Sequence, residues 1–256
     1  MKRPQRVLLF PDLHVPYHDE RAFACVLSVI RGWRPDTLVV LGDFADFYRV
    51  SSFNLDPRRK LSFRDEIAGC RAARRRLDAA AAAAGCRDKR FLQGNHEVRL
   101  DTYLSKRAPE LVELLDEEGV DWQGLLQLDQ TGWVVTPYKR SIQLGKLRVS
   151  HDVGRAGVYS ARQSQLDMGC SVAFGHTHRL QAHYQGTIDG PRHVGITCGW
   201  LGDPEFIDYR HRDSVQRDSI HGFATVHLLT DGEFWVTPVP IIGGRCVVDG
   251  KVYSAR

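Results

Sequence analysis

The sequence predicts an α/β fold of α/β/β/α type in one domain, opening with βαβ units and closing with antiparallel strands. Three observations predict it. Short, β-rich apolar runs alternate with helical stretches through the first half of the chain. Past residue 130 strand-like runs dominate, and Asp-Gly pairs at 189–190, 231–232 and 249–250 mark hairpins or tight turns between them. Neither a linker nor an internal repeat divides the 256 residues, a length that fits one large unit better than two domains of ~150 residues.

The elements follow in order. Residues 6–10 read as a strand and 19–33 as a helix with Ala22, Phe23, Val26, Leu27 and Ile30 on one face. Residues 37–41 form a second buried strand. A long helix spans 62–84, with Phe63, Ile67, Cys70, Leu77 and Ala81 at helical spacing. Ser62 is its N-cap, Asp65 and Glu66 suit the helix dipole, and Gly85 closes it. The alanine run 79–84 is the tail of this strong helix, packed closely on a neighbour. Arg71, Arg74, Arg75 and Arg76 read as its solvated face. A short strand follows at 90–92, then helical segments at 97–106 and 109–118. Strands at 146–150 and 171–174 flank a helix over 157–167. Gly32, Gly94 and Gly175 read as turn glycines, and none belongs to a Gly-rich nucleotide cradle.

Composition excludes several classes. Hydrophobic residues make up 43% and charged residues 26% of the chain, which is globular and not disordered or fibrous. Six cysteines at 25, 70, 86, 170, 198 and 246 show no CxxC pair. That spacing argues against a zinc ribbon, a redox dithiol or a disulfide framework, and fits a reducing cytoplasm. The start, MKRPQRVLLF, is interrupted by Pro11 and Asp12 before an apolar core of ~7–15 residues can form, so neither a signal peptide nor a membrane span is expected. A net charge of +4 is compatible with an anionic substrate but too weak to indicate nucleic-acid binding.

The polar residues behind the predicted strands carry the chemistry. Asp12-Leu13-His14 follows the first, Gly42-Asp43-Phe44-Ala45-Asp46 the second, and Gly94-Asn95-His96-Glu97 the third. His151-Asp152 follows strand 146–150, and Gly175-His176-Thr177-His178 follows strand 171–174. Open α/β sheets build their sites at the carboxyl ends of strands, so these groups gather at one edge. Carboxylates, one Asn carbonyl and several imidazoles suit Mn²⁺, Fe or Zn²⁺, not a thiolate site. Asp12, His14, Asp43, Asn95, His151, His176 and His178 exceed the three protein ligands usual for one catalytic zinc. With one bridging carboxylate, for which Asp43 is central, they suffice for two ions ~3.5–4 Å apart. Taken singly, DxH and GDxxD are ordinary caps and turns; the ordered set of five, each behind a strand, is not. His18, His183, His193, His211, His221 and His227 have no partners at ligand spacing.

DxH, GDxxD, GNHE, a later His and GHTH, in that order, resemble the calcineurin-like metallophosphoesterase superfamily. The resemblance runs from Asp12 to beyond His178. Ser52-Phe53-Asn54, Asp56-Pro57-Arg58, GNHEVRL, residues 202–209 and His221-Gly222-Phe223 look like its phage and bacterial branch. It implies a four-layered α/β/β/α sandwich of two mixed sheets and two divalent ions, Mn²⁺ first and Fe or Zn²⁺ as alternatives. Asp12, His14 and His178 would hold one ion, Asn95, His151 and His176 the other, with Asp43 bridging. His96 would lie beside the scissile phosphate, oriented by Asp46. The resemblance is compatible with a dimer. Pro11 before Asp12, Ser150 before His151, and Thr197-Cys198-Gly199-Trp200 depart from the usual pattern without removing a ligand.

The implied activity is hydrolysis of a phosphodiester or phosphomonoester by a hydroxide shared between two metals. A nuclease or nucleic-acid end-processing enzyme is the alternative within hydrolases, and a catalytically silent metal-binding scaffold the alternative outside them. Phe47, Tyr48, Arg49, Phe53, Arg58, Arg59 and Lys60 form a basic, aromatic insertion. It either contacts a nucleic-acid strand or tucks its aromatics beneath a surface loop. Arg49 and Arg99 are the candidate substrate contacts; Tyr103, a further turn along, is equally a packing residue.

Overall fold

The computed structural model describes residues 3–57, 59–118, 120–186, 188, 190–206 and 218–255. Arg58, Asp189, His211 and positions 207–209 of the 202–209 stretch therefore lie outside the described residues. The chain runs β1 (Gln5–Phe10), α1 (Glu20–Trp33), β2 (Thr37–Val40), α2 (Phe63–Ala84), β3 (Asp88–Leu92), α3 (Val98–Arg107), α4 (Val112–Glu117) and α5 (Trp122–Leu126). It continues with β4 (Val134–Thr136), β5 (Ser141–Leu144), β6 (Leu147–Ser150), α6 (Ser160–Met168), β7 (Ser171–Phe174), β8 (Leu180–Gln185) and β9 (His193–Cys198). It ends with β10 (Gly222–Leu228), β11 (Phe234–Pro240), β12 (Arg245–Val248) and β13 (Lys251–Ser254).

Local chemistry sets the helix ends. The Asp19 side chain accepts from Ala22 N at 2.7 Å and starts α1. Ser62 and Asp65 form a reciprocal capping box on α2, and Gly85 ends that helix at φ 76°. The tight turn of β12 and β13 needs positive φ at both central residues, and Asp249 at 47° and Gly250 at 75° supply it. Asp231-Gly232, with positive φ at Gly232 alone, lies in the turn that links β10 to β11, antiparallel neighbours.

Two mixed sheets result. The first has the order β11-β10-β1-β2-β3-β4 and the second β5-β6-β7-β9-β8. Parallel pairing runs through β1, β2, β3 and β4 and through β6, β7 and β9, with antiparallel strands at the margins. Alternation along β1 sends Val7 and Leu9 to one face and Leu8 and Phe10 to the other. Val7, Leu9, Val39 and Leu41 meet Leu147, Val149, Ala173 and Ile196 in a core between the sheets. Leu8, Phe10 and Val40 join Phe23, Val26 and Ile30 of α1 and Cys70, Leu77 and Ala81 of α2 in a second core. On the far side α6 lies so close to β9 that a Cβ at Gly195 would sit 3.2 Å from Gln165 Cβ and overlap the Ala161 carbonyl. Helices, sheet, sheet and helix therefore stack as the α/β/β/α sandwich. Each fully buried Phe, Leu, Ile or Val contributes about 1.5–3 kcal/mol to these cores.

Three readings change. Gly32 is not in a turn but inside α1, where a Cβ would lie 2.6 Å from Tyr253 Cε1; it makes room for the terminal hairpin. Arg74 is not on a solvated face: it is buried and paired with Asp78, which Lys89 also reaches. Arg76 pairs with Glu20, and Arg71 donates to the Leu125 carbonyl. The helical period placed these arginines correctly, but the packing of α5 and β3 on α2 covers part of that face. Finally, α5, β4 and β5 are too short to show a period and are absent from the predicted elements.

All six cysteines are free. Among the described residues no helix is long and apolar enough to cross a membrane.

Candidate metal centre

The loops after β1, β2, β3, β6 and β7 converge. His14 N donates to the Asp43 carbonyl at 2.9 Å, Val15 N to Phe44 O at 2.9 Å and Asp46 N to Val15 O at 2.9 Å, so the first two loops pair like short strands. Gly175 N donates to His151 O at 3.1 Å and joins the last two. His14, Asp43, His176 and His178 have φ values of 56°, 48°, 63° and 58°. Left-handed backbone costs a non-glycine residue about 1–2 kcal/mol, and four of the seven predicted ligands carry it. Strain concentrated on polar side chains that face one another marks a functional site.

Glycines allow the close approach. A Cβ at Gly42 would lie 2.7 Å from His151 Nδ1, and one at Gly175 would lie 2.9 Å from Asp12 Oδ1. A Cβ at Gly94 would overlap the Asp43 amide and carboxylate. Gly94→Ala is therefore expected to destabilise the fold by about 2 kcal/mol or more, read as a lowered Tm; an unchanged Tm would contradict this packing.

The side chains form two adjoining groups. In the first, His151 Nε2 and His176 Nδ1 lie 2.9 and 2.8 Å from the same Asn95 Oδ1, and Asp43 Oδ2 is 3.4 Å from His151 Nε2. His151 Nδ1–H donates to the Leu41 carbonyl at 2.7 Å, which turns Nε2 toward the cluster. In the second, His14 Nε2 meets His178 Nε2 at 3.1 Å, while His14 Nδ1 faces Asp46 Oδ2 at 3.2 Å. His14, Asp46 and His96 are also mutually close enough to share an ion. Asp43 stands between the groups: its Oδ1 accepts from His96 N at 2.9 Å, and its Oδ2 is 3.8 Å from His96 Nε2.

Asp12 tests whether a cation fits. It is fully buried, and among the described residues neither carboxylate oxygen has a hydrogen-bond partner. His151 Nδ1, 3.6 Å from Oδ1, is committed to Leu41. A buried carboxylate without donors is costly, and burial, reinforced by the charge of Asp43, pushes its pKa up to about 7 against the pull of His151 and His14. Burial also opposes ionisation of Asp43, yet His151 and His96 hold it well below the carboxylate range. Burial drives the His178 imidazole well below its ordinary value, with His14 adding to the shift, so it stays neutral and able to ligate. His151 moves the other way: burial disfavours its charge, but Asp43 and Asp12 raise it to about 10, which shows how strongly positive charge is favoured there. Oxygen and imidazole donors, clustered acids and an orphaned carboxylate all fit divalent cations.

His96 lies at the rim. Its Nδ1 is 2.9 Å from the Asp46 carbonyl, and Arg99 donates to its Nε2 at 3.0 Å. Nδ1 therefore carries the ring proton. Arg99 also donates to the Asp46 carbonyl at 2.9 Å. Arg49 is placed differently: its guanidinium holds the Arg59 carbonyl at 2.6 Å and the Leu61 carbonyl, bracing the insertion. Phe47 and Tyr48 are buried, while Phe53 is exposed. The Arg59 guanidinium stacks 4.4 Å above the Tyr48 ring and 4.7 Å above the Tyr17 ring. Tyr103 is partly exposed on α3.

Two buried acids carry no site role in the sequence reading, which places Glu66 only in the first turn of α2. Glu97 accepts from Asp43 N at 3.0 Å, Gly94 N at 2.7 Å and Ala45 N at 3.0 Å, fastening the second loop to the third. GNHE displays this residue, but its partners lie across the chain. Glu97→Gln turns an amide N–H toward backbone donors and is expected to cost about 2 kcal/mol, measured as a lower Tm with weaker metal uptake. The other acid is Glu66, whose Oε1 accepts from Arg49 N at 3.2 Å. Burial, with the Asp46 charge, raises its pKa to about 7. A raised folded pKa gives stability that is complete below the unfolded value near 4.5 and lost as pH climbs to about 7. Glu66→Gln should therefore raise stability above pH 7 by about 3 kcal/mol and leave it unchanged near pH 4, as denaturant titration across pH would reveal.

No family model matches the chain. It is 29% identical to the gene 54 protein of Mycobacterium phage D29 over 264 residues, covering 98% of this chain and 99% of that protein. The gene 54 protein of Mycobacterium phage L5 is 28% identical over 265 residues with the same coverage. Solved structures that it resembles include vacuolar protein sorting 29 from Cryptosporidium parvum, at TM-score 0.45 and 14% identity, covering 99% of this chain and 97% of that one. YfcE, a phosphoesterase from E. coli, matches at TM-score 0.42 and 15% identity, covering 93% of this chain and 100% of that one.

Proposed function

We propose that this chain is a calcineurin-like metallophosphoesterase, a hydrolase of phosphoric esters that works with two divalent ions, Mn²⁺ first among them. The observation that carries the reading is the meeting of two histidine-bearing groups at Asp43, beside the donorless carboxylate of Asp12. Asp12, His14 and His178 would hold one ion, Asn95, His151 and His176 the other, and Asp43 both. Bound there, the ions would supply Lewis acidity, withdrawing charge from phosphoryl oxygens and lowering the pKa of an attacking water. The protein's own part is orientation and proton handling. Leu41 fixes the His151 tautomer, Asp46 fixes His14 and His96, and Glu97 holds the loops in register. Arg99 has donors at the rim that suit a phosphoryl oxygen, and His96 beside it would stabilise the leaving oxygen, or protonate it once Nε2 has released Arg99 and taken up a second proton. Six free cysteines support work in a reducing cytoplasm.

Initial rates on matched aryl phosphate monoesters and diesters, after metal is stripped and Mn²⁺ restored, test the reading. Metal-dependent turnover is expected. Preference for the diester would direct the search to nucleases and other phosphodiesterases, where a steep salt dependence of binding would identify a nucleic-acid substrate. Preference for the monoester would direct it to nucleotides, sugar phosphates and phosphoproteins. Metal binding with no turnover on either ester would overturn the proposal in favour of a scaffold.

A further inference from the structure

We infer that Trp200 is a positioning residue for the ion held by Asp12, His14 and His178, setting the plane of the His178 imidazole through ring stacking; the inference rests on the metal-centre reading above. The indole lies parallel to that imidazole, with centroids 4.8 Å apart and planes inclined by 15°. It meets the His14 ring edge-on at 6.4 Å and 68°. One aromatic side chain thus borders both imidazoles whose Nε2 atoms face each other at 3.1 Å.

His178 needs an external restraint. His151 and His14 each direct a second ring nitrogen to a protein oxygen, on Leu41 and Asp46. Such contacts orient a metal-binding histidine and fix its tautomer. Among the described residues His178 has no hydrogen bond of that kind, and its backbone is left-handed at φ 58°. The stacked indole restricts the same ring rotation.

The indole is itself fixed. It is 3% exposed, with His221 tilted against it at 5.7 Å. A Cβ at Gly202 would come within 2.5 Å of Trp200 Cε3, so only glycine leaves the ring its space. Trp200 N donates to Ile220 O at 3.3 Å, and Gly222 N donates to Trp200 O at 3.2 Å. The flanking backbone reaches the ligands directly. Leu201 N donates to Asp12 O at 2.8 Å, and Ile220 N donates to His178 O at 3.0 Å. The segment therefore clips the loop after β1 to the turn after β7. Trp200 Nε1 is buried with no hydrogen-bond partner among the described residues, so the indole acts here through its ring and not its N–H.

Co²⁺ titration of the metal-free, full-length protein tests this, followed by calorimetry and indole fluorescence. Native protein should bind two ions, with fluorescence quenched as one position fills. Trp200→Ala should weaken one binding step about 10–100-fold and leave the other unchanged. Trp200→Phe, which retains a flat ring, should restore the affinity to within about threefold of native while removing the quench. If circular dichroism shows that the alanine variant fails to fold, Trp200→Leu, which keeps part of the apolar volume without a flat ring, takes its place with the same expectation. Two-ion binding of native affinity in the alanine or leucine variant would overturn this inference alone. Absence of cobalt binding by native protein would overturn the metal-centre reading and this inference with it.

Discussion

Replacing Asp43 by alanine is expected to abolish phosphoester turnover and to release bound metal. This carboxylate stands between the two groups of side chains: Oδ2 faces His151 and His96, and Oδ1 receives the His96 amide. Without it, the groups lose the charge that joins them. Ion clamping of a phosphoryl group is worth several kcal/mol, so a loss of at least ~10³-fold is expected at one decade per 1.36 kcal/mol. Alanine also sits badly at φ 48°, so a fall in activity alone could reflect the backbone. Asp43→Asn separates the effects, because asparagine tolerates left-handed backbone while removing the charge. It should keep a near-native Tm, lose metal measured by elemental analysis, and lose activity. Full activity in Asp43→Ala would sink the assignment.

His96→Ala is expected to slow turnover by ~10²–10⁴-fold while both ions stay bound. The side chain stands at the rim with its Nδ1 on the Asp46 carbonyl and Arg99 at Nε2, and the proposed reaction assigns it to the departing oxygen. Its removal takes away that positioned group and leaves Asp12, His14, Asp43, Asn95, His151, His176 and His178 in place. Metal content decides between this role and another that the geometry also permits. His14, Asp46 and His96 are close enough together to form a ligand set, so loss of one ion on His96→Ala would move His96 from catalysis to coordination. A rate within threefold of native would remove it from both.

Much of the fold is written locally. The apolar runs of β1, β2, β3, β6 and β7, the capping box at Ser62 and Asp65, and the Asp-Gly turns at 231–232 and 249–250 each depend on a few neighbouring residues, and short-range physics reads them. The same holds for the polar residues behind those strands. Residues just past the carboxyl end of a strand lie at the sheet edge, so Asp12, Asp43, Asn95, His151 and His176 fall together once the strands lie side by side.

What the sequence by itself determined is therefore the layered class and the chemistry of the residues at the strand ends. Only the tertiary structure decided how those residues are held. Glu97 braces Asp43 across an intervening helix and strand, Trp200 stacks on His178, Arg74 is buried by elements that pack over α2, and Gly32 yields its space to Tyr253 at the other end of the chain. None of these contacts has a period or a motif. Each arises when two segments distant in sequence are brought to a few ångströms by the close packing of the sandwich, and the contact energy depends on that proximity, its geometry and its burial, none of which a local stretch of sequence encodes.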